Sequence, residues 1–272
     1  WKDVIKPAIG VATEGFEIAE ATAKEWMKPP IGSRESPWVS VGASRYDGGG
    51  TIIANPDMAN TFSVLAEGGV EVFYRGDLAR QIAQDMETGG GFLTLKDLES
   101  YEVTVAEPLC TRYRGYDIAS NQPPGGGLTI LQMLKILEGY DLSEIGHLSA
   151  EYVYKASMAM RAAWVDRANL IGDPLFVEVP ASELLSEDRA SSWRNRIDAG
   201  EIFQVPRWHP EESPDTTHVS VVDSQGNVMG LTHSLGSGAG VVTEGLGFMY
   251  NNCMNCFNPV PGEVNSIEPG KS

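Results

Sequence analysis

The chain has 272 residues, 42% of them hydrophobic, and a formal net charge of −17. That length and apolar content suffice for one large domain or two small ones with a sizeable core, and they argue against disorder. The acidic balance argues against nucleic acid as a partner, because a polyanion needs a basic face, and no apolar run approaches the ~20 residues a bilayer crossing needs.

Residues 1–27 read as a helix pair broken near Gly15, with Ile5, Ala8, Ile9 and Ala12 at helical spacing. Residues 29–50 are rich in Pro and Gly and read as loop. Asp57 is expected to cap a helix that runs towards Glu67 and stops at Gly68-Gly69. A further helix is expected from about Asp77 to Glu87, ended by Gly89-Gly90-Gly91. Thr94 to Leu98 reads as a helical turn opening into a strand from Glu102 to Val105, and Arg112 to Ser120 alternates as a strand.

Gln122-Pro123-Pro124 and Gly125-Gly126-Gly127 precede an apolar helix from Leu128 to Leu137. The glycines lack the Lys-Ser/Thr of a P-loop and the dinucleotide spacing, so they read as a tight turn that lets the helix pack closely. Ser149 to Ala168 is the clearest helix, with Val153, Ala156, Met160, Ala163 and Trp164 on one face and Asp166-Arg167 near its end as a solvated or buried ion pair. Ala181 to Ile197 is helical with mixed charge. Residues 200–215, with Pro206, Pro210 and Pro214, read as a flexible connector.

The stretch after it reads as a hairpin. Asp215 to Asp223 and Val228 to Leu235 are rich in Val, Thr, Leu and Ser, and flank the polar turn Ser224-Gln225-Gly226-Asn227. A three-residue loop, Ser224-Gln225-Gly226, sets Asp223 against Asn227, and then Val222 against Val228, Ser220 against Gly230, His218 against Thr232 and Thr216 against Ser234. Alternation puts Thr216, His218 and Ser220 on one face beside Thr232 and Ser234. Taken alone, such hydroxyls are ordinary, because threonine suits a pleated surface and Thr pairs across strands are common.

The residues from Thr216 to Asp223, Gly226-Asn227 and Asn251-Asn252 before Phe257 resemble the start of the small subunit of γ-glutamyltransferases, which are N-terminal-nucleophile hydrolases. The resemblance extends upstream, in one collinear order, through Asn55-Pro56-Asp57, Phe73-Tyr74-Arg75-Gly76, Pro123-Pro124 and Val165-Asp166-Arg167. It implies an α+β fold, an αββα sandwich of which this chain covers the helical part and the first small-subunit strands. It also implies that residues 1–215 end a large-subunit-like region and 216–272 begin a small-subunit-like one. The remaining large- and small-subunit segments would then lie outside these residues, with the substrate-carboxylate Arg and the oxyanion-forming glycines among them.

The implied chemistry is self-cleavage of a zymogen between Asp215 and Thr216, followed by acyl transfer from a γ-glutamyl amide of the glutathione type. Thr216 would be the nucleophile and its freed α-amine the base, without any cofactor or metal. Ser234, with Thr232 on the same face, would hold the nucleophile; His218 and His233 are then unnecessary as bases. The resemblance places Gly236, Cys253 and Cys256 where the family grips its substrate with amide and carboxylate side chains. An acylase acting on cephalosporin-type amides, or an uncleaved scaffold, is therefore an alternative. Cys253-x-x-Cys256 reads as pocket lining, since Cys110 is remote and no second pair completes a zinc site. The compartment, cytoplasmic or exported, is left open.

Overall fold

The computed structural model describes residues 1–26, 50–206, 216–234, 236 and 238–271. In chain order the elements are α1 (Lys2–Glu14), β1 (Phe16–Glu17), α2 (Glu20–Trp26), β2 (Ile52–Ile53), α3 (Pro56–Tyr74), α4 (Asp77–Gly89) and α5 (Leu95–Ser100). There follow β3 (Leu109–Tyr113), β4 (Tyr116–Ser120), α6 (Gly127–Glu138), α7 (Leu142–Ile145), α8 (Ala150–Leu170), α9 (Ala181–Leu184), α10 (Glu187–Asp198), β5 (Thr216–Val222), β6 (Val228–Ser234) and a 3-10 turn, Cys253–Cys256. Among the described residues the strands pair as three separate antiparallel ribbons. The chain is thus α+β, and it separates into two compact units, Trp1–Val103 with Ser213–Cys253, and Thr104–Glu212 with Met254–Ser272.

In the first unit, the helix expected at Asp57 begins two residues earlier. Asn55 is the cap: its Oδ1 accepts the Met58 N–H at 3.0 Å, and Pro56 occupies the first turn, where a missing N–H costs nothing. The Asn55 Nδ2 also donates to the Gly247 carbonyl at 2.7 Å, which a carboxylate could not do. The expected stop at Gly68-Gly69 is a kink instead. Gly69 takes φ 68°, and the helix resumes to Tyr74 because Val72, Phe73 and Tyr74 pack on the core of Leu78, Ala79, Ile82, Leu98 and Leu246. Gly15 breaks the first helix pair as expected, and the short ribbon of β1 with β2 follows it. The capping box at Thr94 and Asp97 opens α5, yet Glu102 to Val105 forms no strand. Val103 and Val105 are exposed there, so their alternation has no sheet to join.

The second unit departs from the sequence reading in three places. Arg112 to Ser120 is not one strand, for Arg114 and Gly115 both take positive φ and fold 109–120 into a hairpin. Ala181 to Ile197 divides at Leu185-Ser186 into α9 and α10, the second capped by Ser186. On α8 the buried face is Met158, Ala159, Ala162, Ala163 and Asp166, whereas Val153, Met160 and Trp164 are about half exposed (48, 50 and 47%). Alanines let neighbouring backbones approach closely, so the less bulky face is the one that packs with Ile136, Trp193 and Ile197. The glycine run behaves as a turn, with the Gly125 N–H on the Gln122 carbonyl, and α6 starts at Gly127.

Asp166 is buried, but its partner is not the adjacent Arg167. It accepts from both Nε and Nη2 of Arg189, from Trp193 Nε1 at 2.8 Å and from Gln132 Nε2 at 2.5 Å. Arg167 points elsewhere and donates to the Pro124 and Gly125 carbonyls and to Thr129 Oγ1, tying the glycine turn to α8. The two residues are neighbours in sequence but lie about 100° apart on the helix, so they face different partners.

Candidate active site

The hairpin of β5 and β6 has the expected register at every pair, from Val222 with Val228 to Thr216 with Ser234. Its loop is fixed from within. Asp223 Oδ1 accepts the Gln225 and Asn227 N–H groups, its Oδ2 accepts Asn227 Nδ2 at 2.7 Å, and Gly226 takes φ 85°. The Asn227 side chain first, then its N–H, hold the Asp223 carboxyl below the usual carboxylate range. The loop sits at the far end of the ribbon from Thr216, so it sets the register that brings the hydroxyls together.

At the open end, Thr216 Oγ1 and Ser234 Oγ lie 3.0 Å apart. Ser234 Oγ also accepts the Gly236 N–H at 3.0 Å, which Gly236 presents by turning back at φ 69°. Ser234 Oγ thus stands between the Gly236 backbone and Thr216 Oγ1, and either hydroxyl of the Thr216–Ser234 pair can donate to the other. A hydroxyl 3.0 Å from another fixes its neighbour's rotamer, whichever of the two donates. Thr232 is on the same face but is bonded to His218: its Oγ1 is 2.8 Å from Nδ1, while Nε2 of the ring lies 3.1 Å from Ser220 Oγ. Both ring nitrogens of His218 are thereby engaged along the ribbon, as a strand histidine and not as a base on Thr216. His233 is paired with Thr217 on the opposite face. Asp215, on the other side of the expected scission, lies outside the described residues, as does most of the connector before it.

After Gly236 the chain makes a return loop. The Ala239 N–H bonds to the Tyr250 carbonyl, the Tyr250 N–H to the Val241 carbonyl at 3.0 Å, and Val242 bridges Met249. This brings Asn252 and Cys253 back beside Gly236, where a Cβ at position 236 would stand 3.5 Å from Cys253 Sγ and 3.6 Å from the Asn252 carbonyl carbon. Of the three expected substrate positions, Gly236 and Cys253 are therefore adjacent. Cys256 belongs to the second unit, where its carbonyl accepts Asn265 Nδ2 at 3.1 Å. All three cysteines are exposed and none is in a disulfide.

The sequence reading missed the residues that anchor this loop. Thr61 Oγ1 donates to the Leu246 carbonyl at 2.8 Å, Gln81 Nε2 to the Glu244 carbonyl and Thr243 Oγ1 to Asp85. Gly247, at φ 73°, approaches the start of α3 so closely that a Cβ would fall 2.1 Å from the Met58 nitrogen. These partners are 158 to 192 residues apart, and no local spacing in a single sequence signals them. The one partial signal was Asn55-Pro56, an N-cap followed by a first-turn proline.

The mixed helix-and-ribbon fold is similar to that of solved enzymes of the γ-glutamyltranspeptidase and cephalosporin acylase class. A solved cephalosporin acylase from Bacillus halodurans superposes with a TM-score of 0.78 at 30% identity, over 97% of this chain and 50% of that one. The Helicobacter pylori γ-glutamyltranspeptidase superposes with a TM-score of 0.65 at 30% identity, over 75% and 59%. The family model for gamma-glutamyltranspeptidase matches residues 1–272, and the chain belongs to that family. Among its curated relatives are a glutathione hydrolase proenzyme from Pseudomonas sp. (strain A14), 33% identical over 99% of this chain and 51% of its own length. Another is the acylase ACY 1 proenzyme of Pseudomonas sp. (strain V22), 35% identical over 99% and 50%. The chain spans about half the length of these relatives. Among the described residues, no helix is long and apolar enough to cross a membrane.

Proposed function

We propose that this chain is the nucleophile-bearing portion of a self-processing γ-glutamyltransferase-type amidohydrolase, with Thr216 as the attacking residue. The observation that supports it best is the 3.0 Å contact of Thr216 Oγ1 with Ser234 Oγ at the start of β5. In the precursor, Thr216 Oγ attacks the carbonyl carbon of residue 215. The acyl group shifts from nitrogen to oxygen, which frees the α-amine of Thr216, and water then hydrolyses the ester to a carboxylate on residue 215 and the hydroxyl of Thr216. With a free-amine pKa of ~7.7–8, that amine accepts a proton near neutral pH and activates its own hydroxyl. Thr216 then forms an acyl-enzyme with an amide substrate, expels the amine, and passes the acyl group to water or a second amine.

On this reading residues 1–215 close the large subunit and 216–272 open the small one. Every residue of the ribbon is exposed, and a two-stranded hairpin alone is marginally stable. The rest of the protein would supply further strands and the oxyanion donors, for which a single donor is worth ~3–4 kcal/mol.

The acyl group is the second question. Gly236 and Cys253 offer no amide or carboxylate to an α-amino acid head, and relatives of the chain include acylases as well as glutathione hydrolases. This favours an N-acyl amide as the second reading. Turnover of a γ-glutamyl anilide and of an aliphatic N-acyl anilide by the complete protein separates them. A kcat/KM at least tenfold higher for the γ-glutamyl compound supports the transferase reading; the reverse ratio supports the acylase, and turnover of neither removes both.

A further inference from the structure

Thr243 is buried, 4% exposed, in a loop where Gly240, Val241, Glu244 and Gly245 are exposed. Its Oγ1 donates to Asp85 Oδ2 at 2.7 Å and lies 2.7 Å from the Tyr250 hydroxyl. A threonine has one proton. Since the carboxylate can only accept, the Thr243 proton goes to Asp85, and the Tyr250 O–H must donate to Thr243. Burial raises the Tyr250 phenol above its ordinary value, which keeps that proton in place. The result is a directed relay, Tyr250 to Thr243 to Asp85, running from the return loop to α4.

Tyr250 is also where the loop's backbone pairing ends: its carbonyl accepts Ala239 N–H, and its N–H meets Val241. Asn251 follows directly, its Oδ1 accepting the Cys253 N–H at 3.0 Å, and Cys253 Sγ faces Gly236. The relay therefore holds the base of the segment that forms one side of the candidate site, without reaching Thr216.

Resting on the reading of Thr216 as nucleophile, we propose that Thr243 is a positioning residue: its buried hydroxyl, bridging Tyr250 and Asp85, fixes where residues 251–253 stand against Gly236 and so how firmly the acyl side of the substrate is held. A group of this kind contributes to binding in ground and transition states alike, so its loss appears in KM and not in kcat.

The test uses the complete protein and whichever of the two anilides it turns over faster. Thr243→Val and Tyr250→Phe should each raise KM about tenfold, because each leaves a buried polar group without its partner, while kcat stays within about twofold. Thr243→Ser, which keeps the hydroxyl, should restore the wild-type KM. An unchanged KM in variants that melt like wild type overturns the proposal, as does a fall in kcat at constant KM. If Thr243→Val does not fold, Tyr250→Phe decides, because it removes a single oxygen. Thr216→Ala is run beside them. If it retains turnover, the nucleophile reading and this proposal fall together; if it is inactive while Tyr250→Phe and Thr243→Val keep a normal KM, the positioning role alone falls.

Discussion

Thr216→Ala is expected to leave the chain uncut before residue 216 and to lower amide turnover by on the order of 10⁴-fold or more, the scale seen when a nucleophile acting in a concerted unit is removed. The reason is chemical. Alanine has no oxygen to attack the carbonyl of residue 215, so on the proposed mechanism the α-amine that would serve as base is never released, and both activities are lost through one atom. Thr216→Ser keeps the oxygen and should keep measurable cleavage and turnover. The hairpin itself should be intact in both variants, because its register is set by the Asp223 loop and by the ladder, with Thr216 at the terminal pair. A gel of freshly purified and aged protein, together with anilide turnover, reads both effects. Full turnover by Thr216→Ala would remove the nucleophile assignment.

Asp166→Asn is expected to cause a larger loss of stability than substitution at any exposed ion pair, about 3–5 kcal/mol, which corresponds to a drop in Tm on the order of 10 °C. Asp166 is 2% exposed and accepts from three side chains, those of Arg189, Trp193 and Gln132. An amide in its place turns an N–H₂ towards one of these donors and removes the carboxylate that pairs with the Arg189 guanidinium. Asp166 is the largest influence holding the Arg189 proton above its ordinary range. By contrast Arg80, paired with Asp77 on the surface of α4 at 58% and 91% side-chain exposure, should tolerate alanine within about 1 kcal/mol. Thermal melting of the two variants side by side checks the contrast. Equal shifts would mean that the Asp166 cluster is not a stability centre.

The hairpin was legible in the sequence because everything that fixes it is local. Gly226 supplies the positive φ, Asp223 and Asn227 close the loop, and a period of two then determines each pair up to Thr216 and Ser234. The helices α4, α6 and α8 were legible for a similar reason, α4 through the glycines that end it and α6 and α8 through their apolar residues. What the sequence concealed is non-local or against type. Arginine rarely signals a turn, so Arg114-Gly115 passed as strand. The packed face of α8 is chosen by the partners of its alanines, not by its bulkiest residues. Asp166 invited pairing with the adjacent Arg167, whereas the fold brings Arg189 to it. The anchoring of the site loop by Thr61, Asp85 and Asn55 spans more than 150 positions, beyond the reach of any spacing rule. The roles proposed for Thr216, Ser234 and Cys253 come from likeness to a family, since the hydroxyl geometry alone is compatible with an ordinary strand pair.

The most direct test of the whole account is Edman sequencing of every fragment in a fresh, active preparation of the complete protein. The account predicts a smaller fragment beginning Thr-Thr-His-Val-Ser, with its first residue at 216. A preparation that turns over amides while the bond between Asp215 and Thr216 remains whole would contradict it.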